Sequence, residues 1–394
     1  MKSNVQPEVR FAEFTDDWEQ RKLGEVADFF DEKRIPIDSG KRRSGRYPYY
    51  GASGVIDYVE GYIFDGEYVL LAEDGANITI RNSPIAYITE GKFWLNNHAH
   101  IMKIKYGSNR FLLQLLEKQN YEKYNSGTAQ PKLNGQVVKK ITLGFPNEDE
   151  QQKIGTFFKQ LDDAIALQQR QLERLKDSKK GFLRKMFPKD GERVPEVRFS
   201  GFVGDWKNSK LEDELTLLKD GTHGTHKNAE SGPYLLSAKN IKNGKVKITE
   251  GDRKISQEEY EKIHKNFKLM SGDILLTIVG SIGEVAILND PTNITFQRSV
   301  AYLRPSDIRT RFLYTLAIGS GFQKELKNRQ VVSAQPGIYL GDLKKITLVY
   351  PSDVEEQQKI GTFFKQLDDT IVLHEKELEL LKETKKGFLQ KMFV

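Results

Sequence analysis

The 394-residue sequence predicts an α+β chain: two domains separated by two long helices that pair as an antiparallel coiled coil, with pseudo-twofold symmetry. Three observations predict it. Residues 151–187 return at 357–393 with 27 identities in 37 positions, a shift of 206. Shorter repeats frame each half: Pro7-Glu8-Val9-Arg10-Phe11 and Trp18 return as Pro195-Glu196-Val197-Arg198-Phe199 and Trp206, and Ala129-Gln130-Pro131 returns as Ala334-Gln335-Pro336. Between these edges the halves hardly align, yet both carry short runs rich in Tyr, Ile, Val and Phe broken by Gly, Asn and Asp, which is a strand-and-turn pattern. A period near 200 residues is too long for a solenoid, so the unit of duplication is a domain plus a helix.

The expected order is a first domain at 1–146, a first helix at 147–187, a second domain at 188–351 and a second helix at 352–394. In the first domain "YVLLAED", "PIAYIT" and "AHIMKIKY" read as strands, and "RFLLQLLEKQNYEKY" as helix. In the second, "YLLSAKN", "DILLTIVG", "EVAIL" and "VAYLRP" read as strands, and "RFLYTLAIGSGFQKELK" as helix.

Pro146 and Pro351 block helix ahead of each repeated segment. Asn147 with Glu150, and Ser352 with Glu355, have capping-box spacing. The first helix carries an apolar seam at Ile154, Phe158, Leu161, Ile165, Leu172, Leu175, Phe182 and Met186, with Gln168 and Lys179 in phase. The second keeps that phase at Ile360, Phe364, Leu367, Ile371, Leu378, Leu381, Phe388 and Met392, with His374 and Lys385. Steps alternating four and three residues define a coiled-coil seam. The simplest partner for each helix is the other. A helix of this length spans about 55 Å, comparable with the ~34 Å turn of duplex DNA. Gly181 and Gly387 interrupt the pattern, where a bend or a close approach is expected. Phe157, Leu167 and Leu183, with Phe363, Leu373 and Leu389, lie off the seam, and near-identical exposed apolar faces imply one kind of partner docking twice.

Composition excludes several classes. No Cys is present, so disulfides and thiolate metal sites are excluded. No apolar run approaches the ~20 residues of a membrane span, and a cytoplasmic protein is expected. Neither a phosphate-binding G-x-x-x-x-G-K-[ST] loop nor a dinucleotide turn occurs, nor the Asn/Asp-Pro-Pro-aromatic tetrapeptide of amino-methyltransferases. Eight acidic-x-Lys triplets, Glu90-Gly91-Lys92 among them, are background in a charged chain. His98 with His100, and His223 with His226, lack a third ligand, so no metal and no cofactor is expected. A net charge of +6 and a pI near 9.0 fit an anionic partner.

The chain resembles the specificity (S) subunit of type I restriction–modification systems almost end to end. The resemblance rests on the two variable domains, the two repeated helices, "EQQKIGTFFKQLDDAI", "DGEYVLLAEDGANI", "PIAYITEGKFWLNNHAHIMKI", "TAQPKLN" and "SAQPGIYLGDLKKI". It implies two target-recognition domains, each reading one half of a bipartite, asymmetric site in double-stranded DNA. It implies helices that set the gap and dock two methyltransferase subunits, with restriction/translocase subunits joining the full complex. It supplies no catalytic residue. The alternatives are a stand-alone DNA-binding regulator, a cryptic nuclease and a structural adaptor.

Phosphate contacts require Lys or Arg, and base edges require amides, hydroxyls or guanidinium groups. The candidates in the first domain are Lys41, Arg42, Arg43, Arg46 and Tyr47 in "KRRSGRYPYY". In the second they are Thr222, His223 and Lys227 in "DGTHGTHKN", then Gln297 and Arg298, with a basic run at Lys239, Lys242, Lys245 and Lys247. Gln130 and Gln335, repeated ahead of each helix, are expected to serve structure.

Overall fold

A computed structural model of the chain describes residues 6–331 and 336–394; Gln335 lies outside the described residues. The chain divides into two compact units. Unit 1 is Met1–Arg170 with Glu375–Val394, and unit 2 is Gln171–His374. Each unit therefore holds one domain, the start of one long helix and the end of the other.

Unit 1 contains strands β1 (Glu19–Lys22), β2 (Ala27–Phe29), β3 (Ser44–Gly51), β4 (Gly54–Val59), β5 (Phe64–Asp65), β6 (Tyr68–Ala72), β7 (Ala86–Thr89), β8 (Lys92–Leu95), β9 (Ala99–Ile104) and β10 (Thr142–Phe145). Its central sheet runs β2-β9-β6-β7, all antiparallel, with Leu70 opposite Ile101. Unit 2 contains β11 (Lys207–Lys210), β12 (Leu215–Asp220), β13 (Tyr234–Leu236), β14 (Ile241–Lys242), β15 (Lys245–Val246), β16 (Ile274–Thr277), β17 (Val285–Ile287), β18 (Ile294–Phe296), β19 (Val300–Pro305) and β20 (Thr347–Tyr350). Its sheet runs β12-β19-β16-β17, again all antiparallel. The correspondence goes further. β1 pairs with β10 as β11 pairs with β20, and the parallel pair β3–β8 is matched by β13–β18. Two segments that hardly align thus share one frame, because alternating apolar runs and turn residues fix a sheet without fixing side-chain identity. Beyond that frame they differ: β3 and β8 sit in a four-stranded sheet, β4-β3-β8-β5, whereas β13–β18 stands alone and unit 2 adds the β14–β15 hairpin.

The repeated motifs converge on one construction, built twice. Glu150 and Glu356, fully buried, accept from Arg10 and Arg198 of the two "PEVRF" segments. Gln151 and Gln357 donate their amides to the carbonyls of Pro146 and Pro351, both at 2.9 Å. Val9 and Val197 donate backbone N–H to Lys391 and Lys185, each near the end of a long helix. Phe393 stands edge-on to Trp18 at 6.1 Å in unit 1, as Phe187 does to Trp206 at 5.9 Å in unit 2. Each fully buried aromatic contributes about 1.5–3 kcal/mol of burial. The terminal "KMF" of each helix therefore closes a core.

The long helices are Glu148–Lys185 and Val354–Lys391, 38 residues each. Within unit 1 the pairing is antiparallel: Phe157 meets Phe388 at 5.0 Å, Lys385 pairs with Asp162 at 2.6 Å, and Gln168 donates to Glu377 at 2.6 Å. Within unit 2, Phe182 meets Phe363 at 5.0 Å and Lys179 pairs with Asp368 at 2.5 Å. The polar seam positions Lys179 and Lys385 are thus matched to acids across the seam.

Three local expectations change. Asp353, not Ser352, caps the second helix, accepting from the N–H groups of Glu355 and Glu356. Asn147 caps the first as expected, but the Glu150 carboxylate reaches Arg10 instead of closing a capping box. At Gly181 and Gly387 a Cβ would meet nothing within 4 Å, so neither packs closely. The close approach is at Gly155 and Gly361, where a Cβ would stand 2.5 Å from Ser108 Oγ and 2.9 Å from Arg311 Cβ. Each lies against the start of a domain helix, Asn109–Lys118 or Thr310–Ile318.

Candidate nucleic-acid interface

In unit 1 the basic run leads into the β3–β4 hairpin: Lys41, Arg42 and Arg43 precede β3, and Arg46 and Tyr47 lie on it. Gly45 is obligatory there, since a Cβ would stand 2.4 Å from the Glu60 backbone. The pairing skips between Ser44 and Tyr47, and this bulge turns the strand. The five candidates then divide. Arg42 is committed to the protein: it lies over the Tyr49 ring at 4.6 Å, donates to the Ile37 carbonyl and pairs with Asp57. Lys41 and Arg43 are exposed, at 3.3 Å from Asp38 and 3.9 Å from Glu60. Arg46 is exposed over Tyr47, whose ring meets Tyr62 at 5.0 Å; Lys92 lies over Tyr62 at 4.6 Å. Arg46, Tyr47, Tyr62 and Lys92 form a basic–aromatic strip of the type that grips phosphates and bases. Tyr62 and Lys92 are absent from the sequence candidates, because the fold brings them to Tyr47 from well outside the basic run, Tyr62 from the loop between β4 and β5 and Lys92 from the start of β8.

In unit 2 the candidates converge. Thr222 bridges Gln297 in parallel register, and Arg298 N–H donates to the Thr222 carbonyl at 3.1 Å. Gly221 permits this, since a Cβ would stand 2.2 Å from the Phe296 carbonyl oxygen. The side chains of Gln297, Arg298 and Lys227 make no hydrogen bond or ion pair among the described residues, and Arg298 and Lys227 are exposed. His223 lies 2.6 Å from Asp220 and His226 2.7 Å from Glu259. Of the basic run, Lys239 is paired with Asp252 at 2.9 Å, which with the Asn240 amide and the Thr249 N–H holds that carboxyl far below its usual range. Lys242, Lys245 and Lys247 stay exposed on and beside the β14–β15 hairpin.

The remaining histidines of interest serve the fold of unit 1. His100 Nδ1 lies 2.7 Å from Asp31 and Nε2 lies 2.9 Å from the Leu133 carbonyl, while His98 lies 2.8 Å from Asp74. Among the described residues no group of three His, Cys, Asp or Glu is placed to hold a metal. The Gln130 side chain is exposed without a hydrogen bond among the described residues; the repeated anchor is the next residue. Pro131 accepts from Gly75 N–H at 3.0 Å, and Pro336 from Gly280 N–H at 3.2 Å.

Each unit also carries a surface groove lined by equivalent residues. In unit 1 Phe11, Gln152, Lys153, Thr156, Phe157 and Gln160 line about 460 Å³. In unit 2 Phe199, Gln358, Lys359, Thr362, Phe363 and Gln366 line about 250 Å³. Phe157 and Phe363 are half-buried floors of these grooves, edge-on to Phe11 at 6.1 Å and Phe199 at 5.9 Å, while Leu167 and Leu373 are more than half exposed. Leu183 and Leu389, expected to be exposed, pack against their own cores. No helix among the described residues is long and apolar enough to cross a membrane.

Known proteins match this arrangement. A Haemophilus influenzae protein named as a type I restriction enzyme specificity subunit is 40% identical over 129 residues, 32% of this chain and 33% of that protein. The type I restriction enzyme MjaVIII specificity subunit of Methanocaldococcus jannaschii is 25% identical over 396 aligned positions, covering 95% of this chain and 91% of that protein. The crystal structure of the type I restriction–modification S subunit from M. genitalium shares the fold with a TM-score of 0.64 over 99% of both chains at 15% identity. The family model described as the type I restriction modification DNA specificity domain matches twice, at residues 15–177 and 204–383, one match per repeat. With both halves matched, the chain belongs to the type I restriction–modification DNA specificity family.

Proposed function

We propose that this chain is the DNA sequence-recognition subunit of a type I restriction–modification complex, without catalysis of its own, acting in the cytoplasm. Each domain reads one half of a bipartite, asymmetric target in double-stranded DNA. The observation that carries this reading is a duplicated frame bearing two unlike surfaces: one central sheet twice, with a basic–aromatic strip on one unit and a Thr222–Gln297–Arg298 cluster on the other. Unlike surfaces on like frames read unlike half-sites. The twin grooves support docking of two methyltransferase subunits, one per unit, with restriction/translocase subunits joining the larger assembly. The long helices set the gap between half-sites.

The test is to map methylated positions in DNA from cells producing this chain with its methyltransferase partner. A two-part motif with an unspecified gap is expected; methylation without such a motif refutes the reading. Inserting one heptad into both long helices lengthens the gap by about three base pairs, from ~1.5 Å rise per residue and ~3.4 Å per base pair.

A further inference from the structure

We infer that Thr222 presents a hydroxyl fixed as a hydrogen-bond acceptor, and that it reads the exocyclic amino group of an adenine or cytosine in the major groove. The inference rests on the DNA-recognition role proposed above. Its basis is a three-residue relay in unit 2. His226 Nδ1 stands 2.7 Å from Glu259 Oε1, and His226 Nε2 stands 3.0 Å from Thr222 Oγ1. The His226 side chain is nearly buried, at 11% exposure, whereas Thr222 is half-buried beside Gln297.

The donor count fixes the polarity. The Glu259 carboxylate can only accept, so the imidazole Nδ1 carries a hydrogen and Nε2 of the neutral ring is a lone pair. The Thr222 hydroxyl has one hydrogen, and it points into Nε2. If the ring takes a second proton, Nε2 donates instead and the hydroxyl hydrogen turns to the His223 carbonyl, 3.4 Å away. In both states the hydrogen has an acceptor inside the protein, and an oxygen lone pair is what remains to offer outside.

The relay is also held still. Arg253 donates to the His226 carbonyl and to Asn228 Oδ1, and Ala229 N–H donates to the Lys254 carbonyl. Thr222 N–H donates to the Phe296 carbonyl at 2.8 Å. Glu259 is set by its own short helix, Gln257–Ile263, capped by Ser256. An unconstrained threonine hydroxyl rotates and serves donors and acceptors alike, so it discriminates poorly. A hydroxyl with its hydrogen committed inward discriminates amino from keto groups. In the major groove the amino groups belong to adenine N6 and cytosine N4. Gln297, whose amide both donates and accepts, lies beside it and suits the same or the next base pair.

The experiment uses the full chain assembled with its methyltransferase subunits and a duplex library randomised across both half-sites. Wild type is expected to select a two-part site, and Thr222→Val to lose preference at one position by roughly 5- to 150-fold. The base lost there should be adenine or cytosine. His226→Phe, which frees the hydroxyl, should admit guanine or thymine at the same position. Thermal melting of both variants checks that unit 2 stays folded. An unchanged profile in Thr222→Val overturns the inference. So does a wild-type preference for thymine that valine retains, since the methyl would then be the reader. If wild type selects no sequence at all, it is the proposed function that fails, before Thr222 is in question.

Discussion

Arg10 clasps Glu150 through two parallel hydrogen bonds of 2.7 Å, and the carboxylate has no exposed surface. Arg198 clasps Glu356 in the same way. The carboxylate raises Arg10 above its ordinary value, chiefly through the hydrogen bond and against the opposing cost of burial. Removing one partner strands the other's charge. Arg10→Met is expected to destabilise unit 1 by about 3–5 kcal/mol, while Arg10→Met with Glu150→Leu recovers most of that loss. Urea unfolding of the two variants measures it; equal losses in both would show that the arginine stem, not the charge pair, matters.

Four glycines of the long helices separate by sign. Gly155→Ala forces a methyl against Ser108 Oγ and, at 3.0 Å, the Phe111 nitrogen, so destabilisation of about 1–3 kcal/mol is expected. Gly181→Ala meets open space and gains helix propensity, about 1 kcal/mol of stabilisation. Gly361 and Gly387 repeat this contrast. Chemical denaturation of the four alanine variants tests it, and a uniform sign would sink the argument.

The frame was legible in sequence because it is duplicated. Ten in-phase seam positions per helix, and motifs such as "PEVRF" and "EQQKIG", mark the paired helices in the sequence itself. The reasons for those motifs were not legible. Glu150 reads as half of a capping box with Asn147, and only tertiary structure brings Arg10, 140 residues away, to claim it. Ser352 has the right spacing for a cap, but Asp353 is the true counterpart of Asn147. The surfaces were partly legible. Thr222, Gln297 and Arg298 were found as separate polar residues, and a single strand bridge makes them one cluster. Arg42 is indistinguishable from Arg46 in a basic run, although Tyr49, the Ile37 carbonyl and Asp57 hold it to the protein. Tyr62 and Lys92 carry no local signal, since only the folded chain brings the β4–β5 loop and the start of β8 beside Tyr47.

Asp31 gives unit 1 an acid sensitivity of known sign. Burial raises its carboxyl, but the His100 hydrogen bond and charge, the Ile101 N–H and Arg34 together hold it below the ordinary value. A depressed folded-state value contributes stability above the unfolded value, near ~3.9, and loses it as pH falls through the folded value. Asp31→Asn is therefore expected to cost about 1–3 kcal/mol at neutral pH. The gap to wild type should begin to narrow as pH falls below about 4. Unfolding free energies measured at pH 7 and pH 3.5 check it; a gap that widens on acidification contradicts the assignment.

The twin grooves allow a count. Thr156 and Thr362 are exposed in equivalent places, beside Phe157 and Phe363. Thr156→Trp fills the first groove without touching a buried contact, and Thr362→Trp fills the second. If each groove seats one methyltransferase subunit, wild type binds two copies, each single variant one and the double variant none. Native mass spectrometry of the assembled complex reads the number directly. Equivalent grooves on unlike domains also require that either single variant loses a whole copy, since the two sites share side chains but not neighbours. Single variants that keep two copies would place the docking surface elsewhere, with the exposed Leu167 and Leu373 next to be substituted.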